Sequence, residues 1–277
     1  LKSGNGQKYL DGGEKIKVDV LIDKDNSSIK IDFTGTSNQT INNLNAPIAI
    51  TRASILYVLR TLVKKDIPLN EGCLRPVKLI IPQGSLLNPL PPAAVVAGNV
   101  ETSQNIVDCL YEALDQMAAS QGTMNNITFG NNKYQYYETI CGGTGAGPYF
   151  NGRDAIHCHM TNSRLTDPEI LESRFPVILL EFHIRERSGG RGRFKGGNGV
   201  IRKIKFLEEM LVSILSSNRK NSPTGLKGGL NGSTGSNKVI KKNGGIIELK
   251  GIDQTSVEAG DILWIETPGG GGYGFSK

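Results

Sequence analysis

Alternation of apolar and polar positions near the N-terminus predicts a β-hairpin. Residues 16–22 (IKVDVLI) and 29–33 (IKIDF) place an apolar side chain at every second position, and the polar segment 23–28 joins them. The period changes in 47–65 and 102–120, where apolar residues recur every three or four positions, as is typical of amphipathic helices. We interpret the apolar stripe of the second helix as core packing. It consists of Ile106, Leu110, Leu114 and Met117.

The second half of the chain is predicted to be rich in strands. An extended segment at 73–81 and a rigid proline-rich connection at 88–92 separate the two predicted helices. A shift in composition near residue 122 predicts a subdomain boundary, and the longest loop is expected between Asn218 and Asn237. The candidate strands are 134–140, 155–160, 175–185, 200–207, 210–215, 246–249 and 262–266.

These elements predict an α+β fold. Two main amphipathic helices belong to the N-terminal half, and antiparallel strands with Gly-rich loops belong to the C-terminal half. The 35 glycines among 277 residues favour a loop-rich globular protein with many tight turns. No period organises these glycines, which excludes collagen, and a hydrophobic content of 38% excludes a disordered chain.

Charge and cysteine content exclude several classes of protein. The net charge of +6 is spread among carboxylates, so we interpret it as a solvated surface and not as a nucleic-acid site. No apolar run approaches the roughly 20 residues that span a bilayer. The four cysteines have no metal-ligand spacing, and we expect free thiols in a reducing compartment, the cytoplasm. Because the chain begins with Leu1, we also expect it to be a fragment of a longer polypeptide.

Two of the three histidines form a His-x-His pair, His157 and His159. In a strand these two side chains would share a face, where both imidazoles could bind one metal ion or form the polar wall of an active site. A structural interpretation stays open, in which both rings only hydrogen-bond to backbone or carboxylate groups. The residues that could complete a metal site are Glu138, Asp154, Glu172, Glu181 and His183.

Three further segments concentrate polar chemistry. The glycine-rich segment 142–147 (GGTGAG) is either an anion-binding loop or a tight turn, and it does not match a nucleotide-binding P-loop. Glu181, His183 and Arg185 alternate with apolar residues, which indicates a half-buried strand or a substrate-binding wall. The segment 188–195 (SGGRGRFK) resembles an RGG-type RNA-binding tract, and this is a remote alternative.

Together, these motifs resemble the C-terminal half of the hydantoinase B/oxoprolinase family, and most closely its eukaryotic-type 5-oxoprolinases. Their order and spacing make the resemblance specific, and it extends from about Ile31 to the C-terminus. The matching motifs are GGTGAG at 142–147, HCHMTNSR at 157–164, TDPE at 166–169, SGG at 188–190 with Gly192-Arg193, and TPGGGGYG at 267–274.

The resemblance implies ATP-dependent chemistry on a cyclic amide, in which ATP activates the lactam oxygen so that water can attack. The 5-oxoprolinase branch converts 5-oxo-L-proline to L-glutamate in glutathione turnover. A separate hydantoinase A-type half binds ATP, and the B-type half handles the activated amide, so we expect this half as partner and an oligomeric assembly. The family's metal ligands fall outside this chain, so a divalent metal is left unassigned. The alternatives are a hydantoinase or acetone carboxylase-type subunit, or a catalytically silent assembly domain.

The resemblance and the polar motifs together give a set of expected site residues. We expect one of three residues to orient or deprotonate water: Glu138, His157 or His159. We expect the substrate to be bound by Gly143, Thr144, Gly145, Asn162, Arg164 and Arg185.

Overall fold

The computed structural model describes residues 1–68 and 70–276, which form three α-helices and thirteen strands in three sheets. The predicted α+β fold is confirmed. The helices are α1 (Ile48–Leu62), α2 (Ser103–Ala113) and α3 (Pro168–Arg174). The strands are β1 (Gly4–Tyr9), β2 (Lys15–Asp23), β3 (Ser28–Asp32), β4 (Val77–Ile80), β5 (Asn126–Gly130), β6 (Gln135–Thr139), β7 (Val177–Ile184), β8 (Val200–Phe206), β9 (Met210–Leu215), β10 (Ser236–Ile240), β11 (Ile246–Leu249), β12 (Ile252–Val257) and β13 (Ile262–Glu266).

The first sheet and two helices enclose one hydrophobic core. Its strand order is β1-β2-β3-β4, with antiparallel pairs except for the parallel pair β3–β4. The predicted hairpin is the β2–β3 pair, and Ile16, Val18 and Val20 alternate into the core as expected. Helix α2 packs against β1 and β2, and α1 packs against α2. This arrangement brings α1, α2 and β1 close together.

The other two sheets share a second core. Their orders are β11-β10-β13-β8-β7 and β12-β9-β5-β6, and all neighbouring strands in them are antiparallel. Side chains of both sheets meet in one cluster, for example Ile204 and Leu263 from the first and Val212 and Ile214 from the second.

Several local predictions are wrong. The helix expected over 102–120 begins after a π-helical turn, Gly98–Thr102, and ends at Ala113, because Asp115 takes a left-handed conformation (φ 55°) that no helix continues through. The expected strand 155–160 is a loop in which Ile156 forms an isolated bridge. Helix α3 and the strands β1, β5, β10 and β12 were not predicted. Within the described residues, no helix has the length and apolarity needed to cross a membrane.

A layer of glycine-rich segments joins the two halves and carries one wall of the site. Backbone hydrogen bonds run from Gly190 N to Gly270 O (2.8 Å), from Gly270 N to Gly197 O (2.9 Å) and from Gly197 N to Thr144 O (2.8 Å). The chains approach so closely that a Cβ atom on Gly143 would lie 2.0 Å from the carbonyl oxygen of Gly197. Only glycine fits at such a crossing.

Candidate active site

A cleft of about 490 Å³ opens between α1, α2, the glycine-rich turn 142–147 and the loop 156–162. It is of the size usual for small-molecule sites, and its walls combine apolar, aromatic and polar groups. The cleft brings together four of the residues expected from the sequence, namely Thr144, His157, His159 and Asn162. Its remaining lining residues are Tyr57, Tyr111, Met117, Ile156, Cys158 and Thr161.

The His159 side chain lines this cleft, and both of its ring nitrogens contact other side chains. Its backbone is left-handed (φ 56°), and its side chain is 3% exposed. The ring atom Nε2 lies 2.9 Å from Ser120 Oγ, and Nδ1 lies 3.3 Å from the hydroxyl of Tyr57. The rings of Tyr57 and Tyr111 pack against the imidazole, with centroids 5.8 Å and 5.5 Å away.

Behind His159 lies a buried ion pair between α2 and β1. Asp108 Oδ1 is 3.4 Å from His159 Nε2 and accepts a hydrogen bond from Ser120 N (3.0 Å), while Oδ2 is 3.1 Å from Lys8 Nζ. Burial raises the pKa of Asp108, but Lys8 and the hydrogen bond from His159 lower it by more. The pKa of this carboxyl therefore lies below its usual range, and Asp108 is ionised at neutral pH.

His157 lines the same cleft in a different way. Both of its ring nitrogens are buried, and neither has a hydrogen-bond partner among the residues that the structure describes. Burial lowers the pKa of His157, so its imidazole is neutral at physiological pH and has an unshared electron pair. A buried polar group without a partner is costly, which is typical of a group that meets a ligand.

Comparison with known proteins identifies the family. The family model for hydantoinase B/oxoprolinase matches residues 2–276. The chain belongs to this family. It is 53% identical over 266 residues to 5-oxoprolinase 1 of Arabidopsis thaliana, and 50% identical over 266 residues to 5-oxoprolinase of Dictyostelium discoideum. Each alignment covers 96% of this chain and 21% of the relative, so the chain spans about a fifth of the length of these relatives.

The fold is also that of a solved structure. The ATP-dependent caprolactamase from Pseudomonas jessenii superposes with a TM-score of 0.86 over 99% of this chain and 52% of the caprolactamase chain, at 22% sequence identity. The family resemblance expected from the sequence motifs is confirmed.

In this hydantoinase B/oxoprolinase chain, the backbone N–H groups of the glycine-rich turn 142–147 are all hydrogen-bonded within the chain. The N–H of Gly145, for example, donates to Ser120 Oγ (3.0 Å), and that of Gly143 to the carbonyl of Pro268 (3.1 Å). The anion-binding interpretation of this loop therefore lacks free amides, and the tight-turn interpretation fits. Thr144 still lines the cleft, and Gly145 fixes the position of Ser120.

Glu138, expected from the sequence as a candidate base, lies outside the lining of the cleft. Its carboxylate contacts Arg202, with Oε1 2.8 Å from Nε and Oε2 3.3 Å from Nη2, and Oε2 also accepts a hydrogen bond from Tyr136 (2.6 Å). The side chains of Glu138 and Arg202 are 3% and 1% exposed. This position favours a structural role, and a catalytic role for Glu138 stays a prediction.

The two arginines expected to bind substrate are also outside the cleft lining. Arg185 Nη1 donates to the carbonyl oxygens of Thr234 (2.7 Å) and Thr267 (3.3 Å), and Nη2 lies 3.0 Å from Glu266 Oε2. Arg164 is exposed. Substrate binding by either residue stays a prediction.

A metal site is not apparent in this part of the family fold. In 1–68 and 70–276, no group of three or more His, Cys, Asp or Glu residues is arranged to hold a metal ion. The shared strand face expected for His157 and His159 is absent, because this segment is a loop with a left-handed residue at 159. Cys158 lies between them, and burial raises the pKa of its thiol to about 12, which makes it a poor nucleophile at neutral pH.

Sequence reasoning missed four residues of the network, Lys8, Tyr57, Asp108 and Ser120. They come from β1, α1, α2 and the segment after α2, so no motif spacing joins them. No signal in the sequence marked Asp108, because it lies two positions from Ile106 and therefore on the side of the helix away from the apolar stripe, where the structure nevertheless buries the polar residues.

Proposed function

We propose that this chain is the amide-handling part of an ATP-dependent cyclic-amide hydrolase of the 5-oxoprolinase kind. The complete reaction is the conversion of 5-oxo-L-proline, ATP and water to L-glutamate, ADP and phosphate. ATP binds to a hydantoinase A-type half, which activates the lactam oxygen by phosphorylation. The cleft around His157 and His159 then receives the activated amide and directs water to it. Family membership and the 5-oxoprolinase relatives support this proposal.

One observation carries the assignment of the cleft. A neutral imidazole without protein partners, His157, shares the cleft with His159, whose ring is backed by the buried carboxylate of Asp108. Addition of water to a carbonyl-type carbon requires groups that take a proton from water and give one to the leaving nitrogen. The cleft supplies imidazole groups at fixed positions, and positioned polar groups stabilise the charge that develops in the transition state.

The test is cyclic-amide-dependent hydrolysis by the complete protein, with ATP present. We expect 5-oxo-L-proline to support ATP hydrolysis and formation of glutamate. His157→Gln and His159→Gln should each lower kcat by about 10²- to 10⁴-fold, the usual range for loss of an acid–base group. The matched control is His183→Gln on β7, because His183 is 54% exposed and lies outside the cleft lining; its kcat should match that of the wild type.

A substrate panel distinguishes this proposal from its alternatives. Hydantoin and acetone are tested beside 5-oxo-L-proline, each with ATP. Activity only on hydantoin or only on acetone would move the chain to a hydantoinase or a ketone carboxylase. Equal kcat in the wild type and in both cleft variants would indicate an assembly domain whose histidines do no chemistry.

The cellular setting is part of the proposal. We propose that the complete protein acts in the cytoplasm, in glutathione turnover. The four cysteines are free thiols, three of them buried, which fits a reducing compartment.

A further inference from the structure

We propose that Tyr57 is the residue of the cleft that takes the proton from the attacking water, and that His159 and Asp108 form a relay behind it. Tyr57 would touch the attacking water, whereas the other two residues act through it. The inference rests on the function proposed above, since it names the residue that activates water for the cyclic amide.

The hydrogen bonds of His159 fix the direction of this relay. Asp108 is ionised, so its oxygens only accept hydrogen bonds, and Oδ1 lies 3.4 Å from His159 Nε2. We therefore place the ring proton on Nε2, where it faces the Asp108 carboxylate and lies 2.9 Å from its hydrogen-bond partner Ser120 Oγ. In a neutral ring the other nitrogen, Nδ1, is then an acceptor, and its partner at 3.3 Å is the hydroxyl of Tyr57. The phenol donates its proton toward His159.

Access to the cleft favours Tyr57 over His159 as the group that meets water. Both nitrogens of His159 are engaged by protein groups, and its side chain is 3% exposed. Nε2 faces Ser120 Oγ and the buried Asp108–Lys8 pair, whereas Nδ1 is paired with the hydroxyl of Tyr57, which lines the cleft. Tyr57 is half-buried and lines the cleft from α1.

Burial, followed by the neighbouring Tyr111, raises the pKa of Tyr57 well above its ordinary value. A free phenolate is therefore strongly disfavoured, and Tyr57 cannot act as a base on its own. It can act if its own proton leaves as the proton of water arrives. The relay provides that path, because the imidazolium formed at His159 is stabilised by the Asp108 carboxylate.

The step balances without any further reactant. The water oxygen forms a bond to the carbon of the phosphorylated amide, and the C=N electron pair moves to the ring nitrogen. The water proton passes to the Tyr57 oxygen, and the Tyr57 proton passes to His159 Nδ1. The same path in reverse returns this proton to the ring nitrogen. The neutral imidazole of His157 then takes the proton of the new hydroxyl group and passes it to the nitrogen as the C–N bond breaks and the C=O bond forms, which gives an amine and an acyl phosphate. A second water then hydrolyses the acyl phosphate.

The experiment compares Tyr57→Phe with Tyr9→Phe in the complete protein, using 5-oxo-L-proline and ATP. Phenylalanine keeps the ring that packs on His159 and removes only the hydroxyl, whereas Tyr9 lies on the surface of β1 and is 48% exposed. We expect kcat to fall about 10²- to 10⁴-fold in Tyr57→Phe with KM changed by less than about threefold, because only the transition state loses an interaction. Tyr9→Phe should match the wild type.

Two results would overturn the relay. The first is an active wild type with an unchanged kcat in Tyr57→Phe. The second applies if Tyr57→Phe does not fold. 3-Fluorotyrosine is then placed at 57, which keeps the hydroxyl but makes it more acidic, and an unchanged kcat refutes the relay because the rate of proton transfer depends on the acidity of this group. A wild type inactive on 5-oxo-L-proline, hydantoin and acetone would instead refute the proposed function, and the relay with it.

Discussion

Replacing Glu138 by glutamine should destabilise the chain strongly while leaving the chemistry of the cleft intact. The variant removes the charge that compensates Arg202, whose side chain is 1% exposed and whose Nε and Nη2 lie 2.8 Å and 3.3 Å from the carboxylate. Leaving one member of a buried ion pair without its partner costs about 3–5 kcal/mol. The folding equilibrium constant should therefore fall by about 10²- to 10⁴-fold.

The assay is urea unfolding followed by the fluorescence of Trp264, the single tryptophan, which pairs with Lys203 on the strand that carries Arg202. Arg202→Met should be similarly costly, and the double variant should lose far less than the sum of the two, because it leaves no unpaired buried charge. A loss below about 1 kcal/mol for Glu138→Gln would refute the structural assignment. So would a fall in kcat of about 100-fold in molecules that remain folded.

Three other predictions follow from close contacts and buried charge. Gly145→Ala should lower the free energy of unfolding by about 3 kcal/mol or more, because its Cβ would lie 1.8 Å from a carbonyl oxygen. Gly245→Ala, whose Cβ would have its nearest neighbour at 3.2 Å, should change it little in the same urea unfolding assay. Because the folded-state pKa of Asp108 is lowered, its contribution to stability is present above pH 3.8 and is lost as pH falls below that value. Lys8 helps to lower this pKa, so in Lys8→Met the loss of stability should begin at higher pH. Unfolding midpoints measured from pH 7 to pH 3 would show the difference. Iodoacetamide at pH 7.5 should leave Cys158 unmodified until urea unfolds the chain, as peptide mass spectrometry would report, since its thiol pKa is about 12.

The spacing of apolar residues predicted those elements that bury one regular apolar face. The β2–β3 hairpin and α1 follow their apolar patterns closely, and β13 occupies the expected residues. The strand β1 was missed because it has few apolar residues. Its Gly6 packs against α2 so closely that a Cβ would lie 2.3 Å from the carbonyl oxygen of Cys109, so close backbone approach replaces a hydrophobic face.

The site was predicted only in part, because local sequence patterns mark some of its residues and not others. His157 and His159 stood out because a short motif carries them, and the cleft includes both. Tyr57 belongs to an amphipathic helix with an ordinary apolar pattern, and Asp108 lies in a helix whose apolar stripe gives no sign that a carboxylate is buried there. Their contacts with His159 depend on how α1 and α2 pack, which no local pattern encodes.

Hydrogen exchange on the complete protein tests the central claim most directly, namely that the cleft receives the cyclic amide. Peptides covering 156–162 are followed with and without 5-oxo-L-proline in the presence of a non-hydrolysable ATP analogue, and peptides covering 241–247 serve as a distant reference. We predict that the substrate slows exchange at 156–162 and leaves 241–247 unchanged. Unchanged exchange at 156–162 with substrate-dependent protection elsewhere would contradict the account.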